Sequence, residues 1–202
     1  KIKELESTSN NVIKLHAGDA ISGSLFFTLF KGEADAALMN EICFDAFVLG
    51  NHEFNEGDKG VAKFIDFLKS EKCSTSVLAA NIKPEVGVSA LTPNSETDYI
   101  QPYSIIEKGG MKVGIIGIDI VRKTIMSSSP DETTKFLDEA ETSQKIVNEL
   151  KKSGVKHIIL LTHYGYENEL ELASTIEGVD VIIGGDSHTL LGDFDKLGLN
   201  AA

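Results

Sequence analysis

Apolar residues in this chain gather into seven short runs: VIKLHA (12–17), AFVLG (46–50), SVLAANI (76–82), YSIIEK (103–108), KVGIIGID (112–119), HIILLTH (157–163) and VDVIIGG (179–185). Most are rich in Val, Ile and Leu and lack strict alternation, the pattern of strands covered on both faces. Between them the period changes. In DEAETSQKIVNELKKSG the apolar positions Ala140, Ile146, Val147 and Leu150 trace one helical face, and Gly154 can end the helix. GEADAALMNEICF, GDKGVAKFIDFLKS and ENELELASTIEG also fit amphipathic helices. The pair YSIIEKGGMKVGIIG differs, because Gly109-Gly110 separates its two runs closely enough for a β-hairpin. Strands alternating with helices predict a layered α/β domain with helices packed on its sheets. The polar stretch from Lys83 to Asp98 and the segment TIMSSSPDETT read as surface connections, and no internal repeat interrupts the series.

Composition narrows the class of partner. A chain of 202 residues that is 42% hydrophobic suits one globular domain with a full core. Its net charge of −12 repels a phosphate backbone and argues against a nucleic-acid polymer. A small phosphorylated substrate stays open if cations line its pocket. No run of 18 apolar residues is present, so no membrane span is expected. The opening KIKELESTSN shows no signal peptide, and Lys1 is not taken as the true start. Cys43 and Cys73 stand 30 residues apart without C-x-x-C spacing. Cys43, inside EICFDAF, reads as a buried small hydrophobe, which leaves the redox compartment open.

The ends of the runs carry the chemistry. VIKLHA leads to Gly18-Asp19, AFVLG to Asn51-His52, HIILLT to His163, and VDVIIGG to Asp186-Ser187-His188. Each apolar run stops at a side chain able to hold a metal, in the place where open α/β sheets bind ligands. Singly, each residue has a plainer reading. Asp19 can cap a helix or shape a turn, His163 can be a hydrogen-bonded strand-end histidine, and Asp186 can serve a turn. His16 and His157 are left structural. Together, carboxylate, amide and imidazole suit Zn²⁺, Mn²⁺ or a similar ion better than Ca²⁺.

HAGDAISG, LGNHEFN, LLTHYG and IIGGDSHTLLG resemble the motif series of the calcineurin-like metallophosphoesterases, and the fuller phrasing from His16 to Phe54 resembles their 5′-nucleotidase branch, especially NAD nucleotidases and UDP-sugar hydrolases. The resemblance implies a four-layer αββα sandwich with a two-metal centre of Zn, Mn or similar ions at the strand ends. It implies that residues 1–202 are the catalytic domain without its opening strand, and that a C-terminal nucleotide-binding domain lies outside this chain. It implies a nucleotide as small-molecule substrate and a periplasmic or cell-surface location, and leaves the oligomeric state open. Asp19 then matches the carboxylate bridging both metals, Asn51 and His163 match ligands of the second metal, and His188 matches a ligand of the first. His52 matches the catalytic histidine beside the scissile phosphate.

Three departures accompany the likeness. The family's first motif, Asp-x-His, is absent. Asp186 stands where the family usually has a histidine, and it can still bind a metal through oxygen. Asn55 stands where many relatives carry an aspartate that orients the catalytic histidine; an amide can hold the ring but cannot stabilise its charge. Rival readings are a non-catalytic metal-binding remnant, a cyclic-nucleotide phosphodiesterase, a sulfur-oxidising relative, and a dinucleotide-binding oxidoreductase suggested by KVGIIGID. The last lacks G-x-G-x-x-G and is not expected to have a helix directly after its strand.

Overall fold

Three clusters of buried side chains, stacked in order, organise the computed structural model, which describes residues 1–192 and Lys196. The chain runs α1 (Ile2–Thr8), β1 (Leu15–His16), α2 (Leu25–Phe30), α3 (Glu33–Ile42) and β2 (Ala46–Val48), then a 3₁₀ turn (Asn51–Glu56) and α4 (Gly57–Leu68). It continues through β3 (Ser76–Leu78), β4 (Ile82–Pro84), β5 (Tyr103–Lys108), β6 (Met111–Asp119), α5 (Val121–Ser127) and β7 (Thr134–Phe136). The last described elements are α6 (Glu139–Lys152), β8 (His157–His163), α7 (Tyr166–Thr175) and β9 (Val181–Ile183).

β1-β2-β3 form a parallel sheet, and β5-β6-β8-β9 form a second sheet that is parallel except for the β5–β6 hairpin. Side chains alternate along β2. Ala46 and Val48 meet Val113, Ile115 and Leu161 of the second sheet, whereas Phe47 and Leu49 face α3 and α4. β8 does the same, sending Leu161 between the sheets and Ile158 and Leu160 against α6 and α7. Two sheets face to face with helices on both outer surfaces make the four-layer αββα sandwich. α4 shows why: Val61, Phe64, Ile65 and Leu68 share one buried face at helical spacing. α1 buries nothing and rests on exposed pairs such as Lys1–Glu4, each contributing about 1 kcal/mol or less.

Where the structure departs from the pattern, paired backbone explains it. SVLAANI is not one strand. After Leu78 the chain crosses between sheets, Ala79 N–H donating to Gln101 O and Ala80 N–H to Gly117 O, before Ile82 opens β4. The expected connections after Lys83 and around TIMSSSPDETT contain order of their own. β4 pairs antiparallel with β7, and α5 runs through Thr124, Ile125 and Met126. Buried Asp58 ties them down, accepting from Ser89 Oγ, Thr134 Oγ1 and Asp131 N–H. α5 also follows β6 directly, contrary to expectation. VIKLHA pairs only through Leu15 and His16, and β1 is the end strand of its sheet among the described residues.

Cys43 is not a free buried thiol: it is bonded to Cys73, joining the end of α3 to the segment before β3. Gly117 of β6 packs directly against Leu78 of β3. A Cβ there would sit 2.8 Å from Leu78 C and closer still to Leu78 Cβ, so only glycine fits. His16 stays structural, edge-on to Phe44 and Phe47 with ring centroids 5.3 Å away in each case.

Candidate active site

The tip of β2 is fastened to the loop after β1 by one carboxylate. Glu53, buried in the 3₁₀ turn, accepts backbone N–H groups from Gly50 (2.7 Å), Asp19 (2.9 Å), Ala20 (2.6 Å) and Ile21 (3.3 Å). Burial and then the Asp19 charge push its pKa up to about 7, although these N–H donors pull the other way. Asp19 has a left-handed backbone (φ 54°), which turns its side chain into the crevice. Its Oδ1 accepts the His52 N–H at 2.9 Å. Gly50 permits this closeness, since a Cβ there would be 2.5 Å from Asp19 Oδ1 and 2.9 Å from His163 Cδ2. Asn51, next to it, is buried at the same tip.

His163 comes from β8. Its Nδ1 donates to Ala17 O at 2.7 Å, so in the neutral ring Nε2 carries the lone pair. That Nε2 is 3.1 Å from Asp19 Oδ2 and 3.6 Å from Asp186 Oδ1, and it is buried without a hydrogen-bond partner. Burial alone would lower the pKa of His163, but the Asp19 carboxylate, helped by Ala17 O, pushes it up to about 9. Asp19 is held below the usual carboxylate range: burial opposes ionisation, and His163 and the His52 N–H overcome it. Positive charge has to sit among these groups: without an ion a protonated His163 ring supplies it to Asp19, and a bound cation would take its place, leaving Nε2 as a lone-pair donor. An imidazole nitrogen with two carboxylate oxygens is a donor set suited to a borderline divalent ion.

Asp186 belongs to this convergence, but its carboxylate is engaged. Lys123 Nζ, from α5, contacts Asp186 Oδ1 and Oδ2 at 2.6 Å each. His188 is exposed two residues on, and no hydrogen bond or ion pair joins it to Asp19 or His163. Among the described residues no group of three or more His, Cys, Asp or Glu side chains is placed to hold a metal ion as it stands, since Lys123 takes up Asp186 and His188 stays apart. The structure therefore joins Asp19, His163 and Asp186 by side-chain contact, sets Asn51 beside them, and leaves His188 at the rim. His52 is exposed, and its Nδ1 lies 3.0 Å from Asn55 Nδ2.

Three residues escaped the sequence reading. Glu53 was visible as the last letter of Gly-Asn-His-Glu. Asp119 ends an apolar run as the chosen residues do, and in the sheet it is the direct neighbour of His163. It is fully buried, with Oδ2 accepting from Thr124 Oγ1 at 2.6 Å and Oδ1 lacking any partner. Burial holds its pKa well above the usual carboxylate range. Lys123 carries no sequence signal, since nothing in KVGIIGIDIVRK announces that its ammonium reaches residue 186.

A sequence profile described as calcineurin-like phosphoesterase matches residues 1–190. The chain is 43% identical over 201 residues to a probable 5′-nucleotidase of Treponema pallidum, covering 98% of this chain and 32% of that protein. It is 45% identical over 193 residues to the NAD 5′-nucleotidase of Haemophilus influenzae, covering 96% and 30%. The solved structure of the Haemophilus influenzae NAD nucleotidase matches with a TM-score of 0.88 at 43% identity, over 98% of this chain and 37% of that one. A 5′-nucleotidase precursor from Thermus thermophilus matches with a TM-score of 0.87 at 36% identity, over 100% and 37%. This chain thus spans less than a third of the length of these two curated relatives.

Proposed function

We propose that this chain, which belongs to the calcineurin-like phosphoesterase family, is the metal-holding catalytic part of an enzyme that hydrolyses phosphate esters or anhydrides of nucleotides. The observation that carries the reading is the buried convergence of His163 Nε2 with Asp19 Oδ2 at 3.1 Å and Asp186 Oδ1 at 3.6 Å. Asp19, Asn51, His163, Asp186 and His188 would hold two divalent ions of the Zn²⁺ or Mn²⁺ kind. Such ions, when bound, supply an acidified water and relief of charge on the phosphoryl group.

The chain's own residues do the remaining work. Asp19 sits at the centre of the donors, held there by Glu53 through its backbone and by the His52 N–H at its side chain. His52, exposed beside it, donates a hydrogen bond or a proton from Nε2 to a phosphoryl oxygen. The Asn55 amide steadies that ring; donating to Nδ1, it keeps the proton on Nε2.

A nucleotide substrate is suggested by the names of the relatives, and the acidic surface fits a small molecule better than a polymer. Recognition of base and ribose is assigned to a part of the longer protein outside residues 1–202. The Cys43–Cys73 bond favours an oxidising, exported location. The deciding test is a panel of AMP, UDP-glucose and NAD with the full-length protein. Hydrolysis that a chelator abolishes and added Mn²⁺ or Zn²⁺ restores is the expected result. Metal-loaded protein that hydrolyses none of them would overturn the reading and favour a non-catalytic metal-binding role.

A further inference from the structure

We infer that Lys123 is a resident cation of this site: its ammonium neutralises Asp186 until a metal displaces it, and the released ammonium then faces the anionic substrate. The inference rests on the reading of the site as one for metal and phosphate. The contact is unusual for a surface lysine. Nζ touches both Asp186 oxygens at 2.6 Å, the Asp186 side chain is only 7% exposed, and the same carboxylate lies 3.6 Å from His163 Nε2. Lys123 therefore occupies the carboxylate that a metal would need.

Geometry holds the pair in register from both sides. Asp186 has a left-handed backbone (φ 76°) after Gly184-Gly185, and a Cβ on Gly165 would lie 3.0 Å from its Oδ2. Lys123 itself is half exposed, so it can leave Asp186 without unpacking a core. It has somewhere to go. A cavity of about 670 Å³ adjoins it, its lining including Arg122, Lys123, Glu139, Tyr164 and Asn168. Arg122 is the only arginine in the chain, and it makes no ion pair with any described residue. Arg122 and Lys123 outnumber Glu139 in that lining, so in a chain of net charge −12 this wall is a local excess of positive charge that favours phosphate.

Two opposite effects follow from one substitution. Lys123→Met removes a positive charge that competes with a divalent ion, so metal should bind more tightly, by about tenfold. The same change removes a partner for phosphate, so KM for a phosphate ester should rise several-fold while kcat changes less. Lys123→Arg, which keeps the charge, should stay near the parent protein in both. The experiment uses the full-length protein stripped of metal. Mn²⁺ affinity is read by competition with a fluorescent chelator, and KM with AMP after reloading. A thermal melt confirms that the variants are folded. Weaker or unchanged Mn²⁺ binding in Lys123→Met would overturn the resident-cation role. An unchanged KM would overturn the substrate-facing half. The chelator measurement needs no turnover, so it decides the first half even if the protein hydrolyses no nucleotide.

Discussion

The Glu53 carboxylate holds the backbone N–H of Asp19 at 2.9 Å, and with it the loops that follow β1 and β2. A residue outside the proposed ligand set thus fixes where the central ligand stands. Glu53→Ala would leave four N–H groups without their acceptor, two of them, on Gly50 and Ile21, in buried bonds. At about 1–3 kcal/mol for each group that water cannot reach, a loss on the order of 3 kcal/mol in unfolding free energy is expected. Glu53→Gln, which keeps one acceptor oxygen, should lose less. Urea titration of both variants measures this, and a loss below about 1 kcal/mol for alanine would show that the loops hold without the clamp.

His52→Ala should lower kcat of the full-length enzyme by about 10²–10⁴-fold, the usual contribution of an acid–base group. Metal content should remain that of the parent protein, because the ring is exposed and only its backbone N–H touches Asp19. Loss of metal in this variant would place the histidine among the ligands instead.

Asn55→Ala removes the 3.0 Å contact to His52 Nδ1. A neutral hydrogen bond contributes about 0.5–1.5 kcal/mol, so kcat should fall about two- to thirteenfold. Metal affinity should not move. An unchanged kcat would mean that the ring is positioned by the substrate rather than by residue 55.

Reduction of the Cys43–Cys73 bond, which closes a loop of sequence separation 30, should cost about 3–4 kcal/mol of stability. Comparing unfolding with and without reductant tests this. Equal midpoints would show that α3 and the start of β3 are held by packing alone.

Sequence patterning revealed what continuous burial produces. β6 and β8 are long, central and apolar, and α4 and α6 carry clean helical stripes. Short elements escaped because three paired residues leave no period to detect, as in β4 and β7, or because exposure breaks the stripe. In α2, Leu25, Phe26 and Leu29 stay largely exposed, so its apolar letters mark no buried face. Within the site, strand-end polarity pointed to His163, which ends the buried strand β8, and to Asp19 and Asp186, which stand three residues past β1 and β9 in the loops that meet it. Lys123 and the Cys43–Cys73 pair were not legible for another reason: each is a meeting of distant segments, set by the packing of elements rather than by any local pattern. His188 fits its motif, yet its exposed position depends on the backbone after Asp186, where φ is also positive at His188 itself.

The close approach of Gly117 to Leu78 has a mechanical consequence. Asp19 and Asn51 ride on one sheet, His163 and Asp186 on the other, and the bond from Ala80 N–H to Gly117 O at 2.8 Å welds the two together beside the crevice. Close-packed interiors transmit displacement instead of absorbing it. The strand tips therefore behave as a single anvil. For the metal-holding role proposed above, the spacing between the Asp19–Asn51 pair and the His163–Asp186 pair would then stay constant, and any motion that admits a substrate would belong to parts that move over this surface.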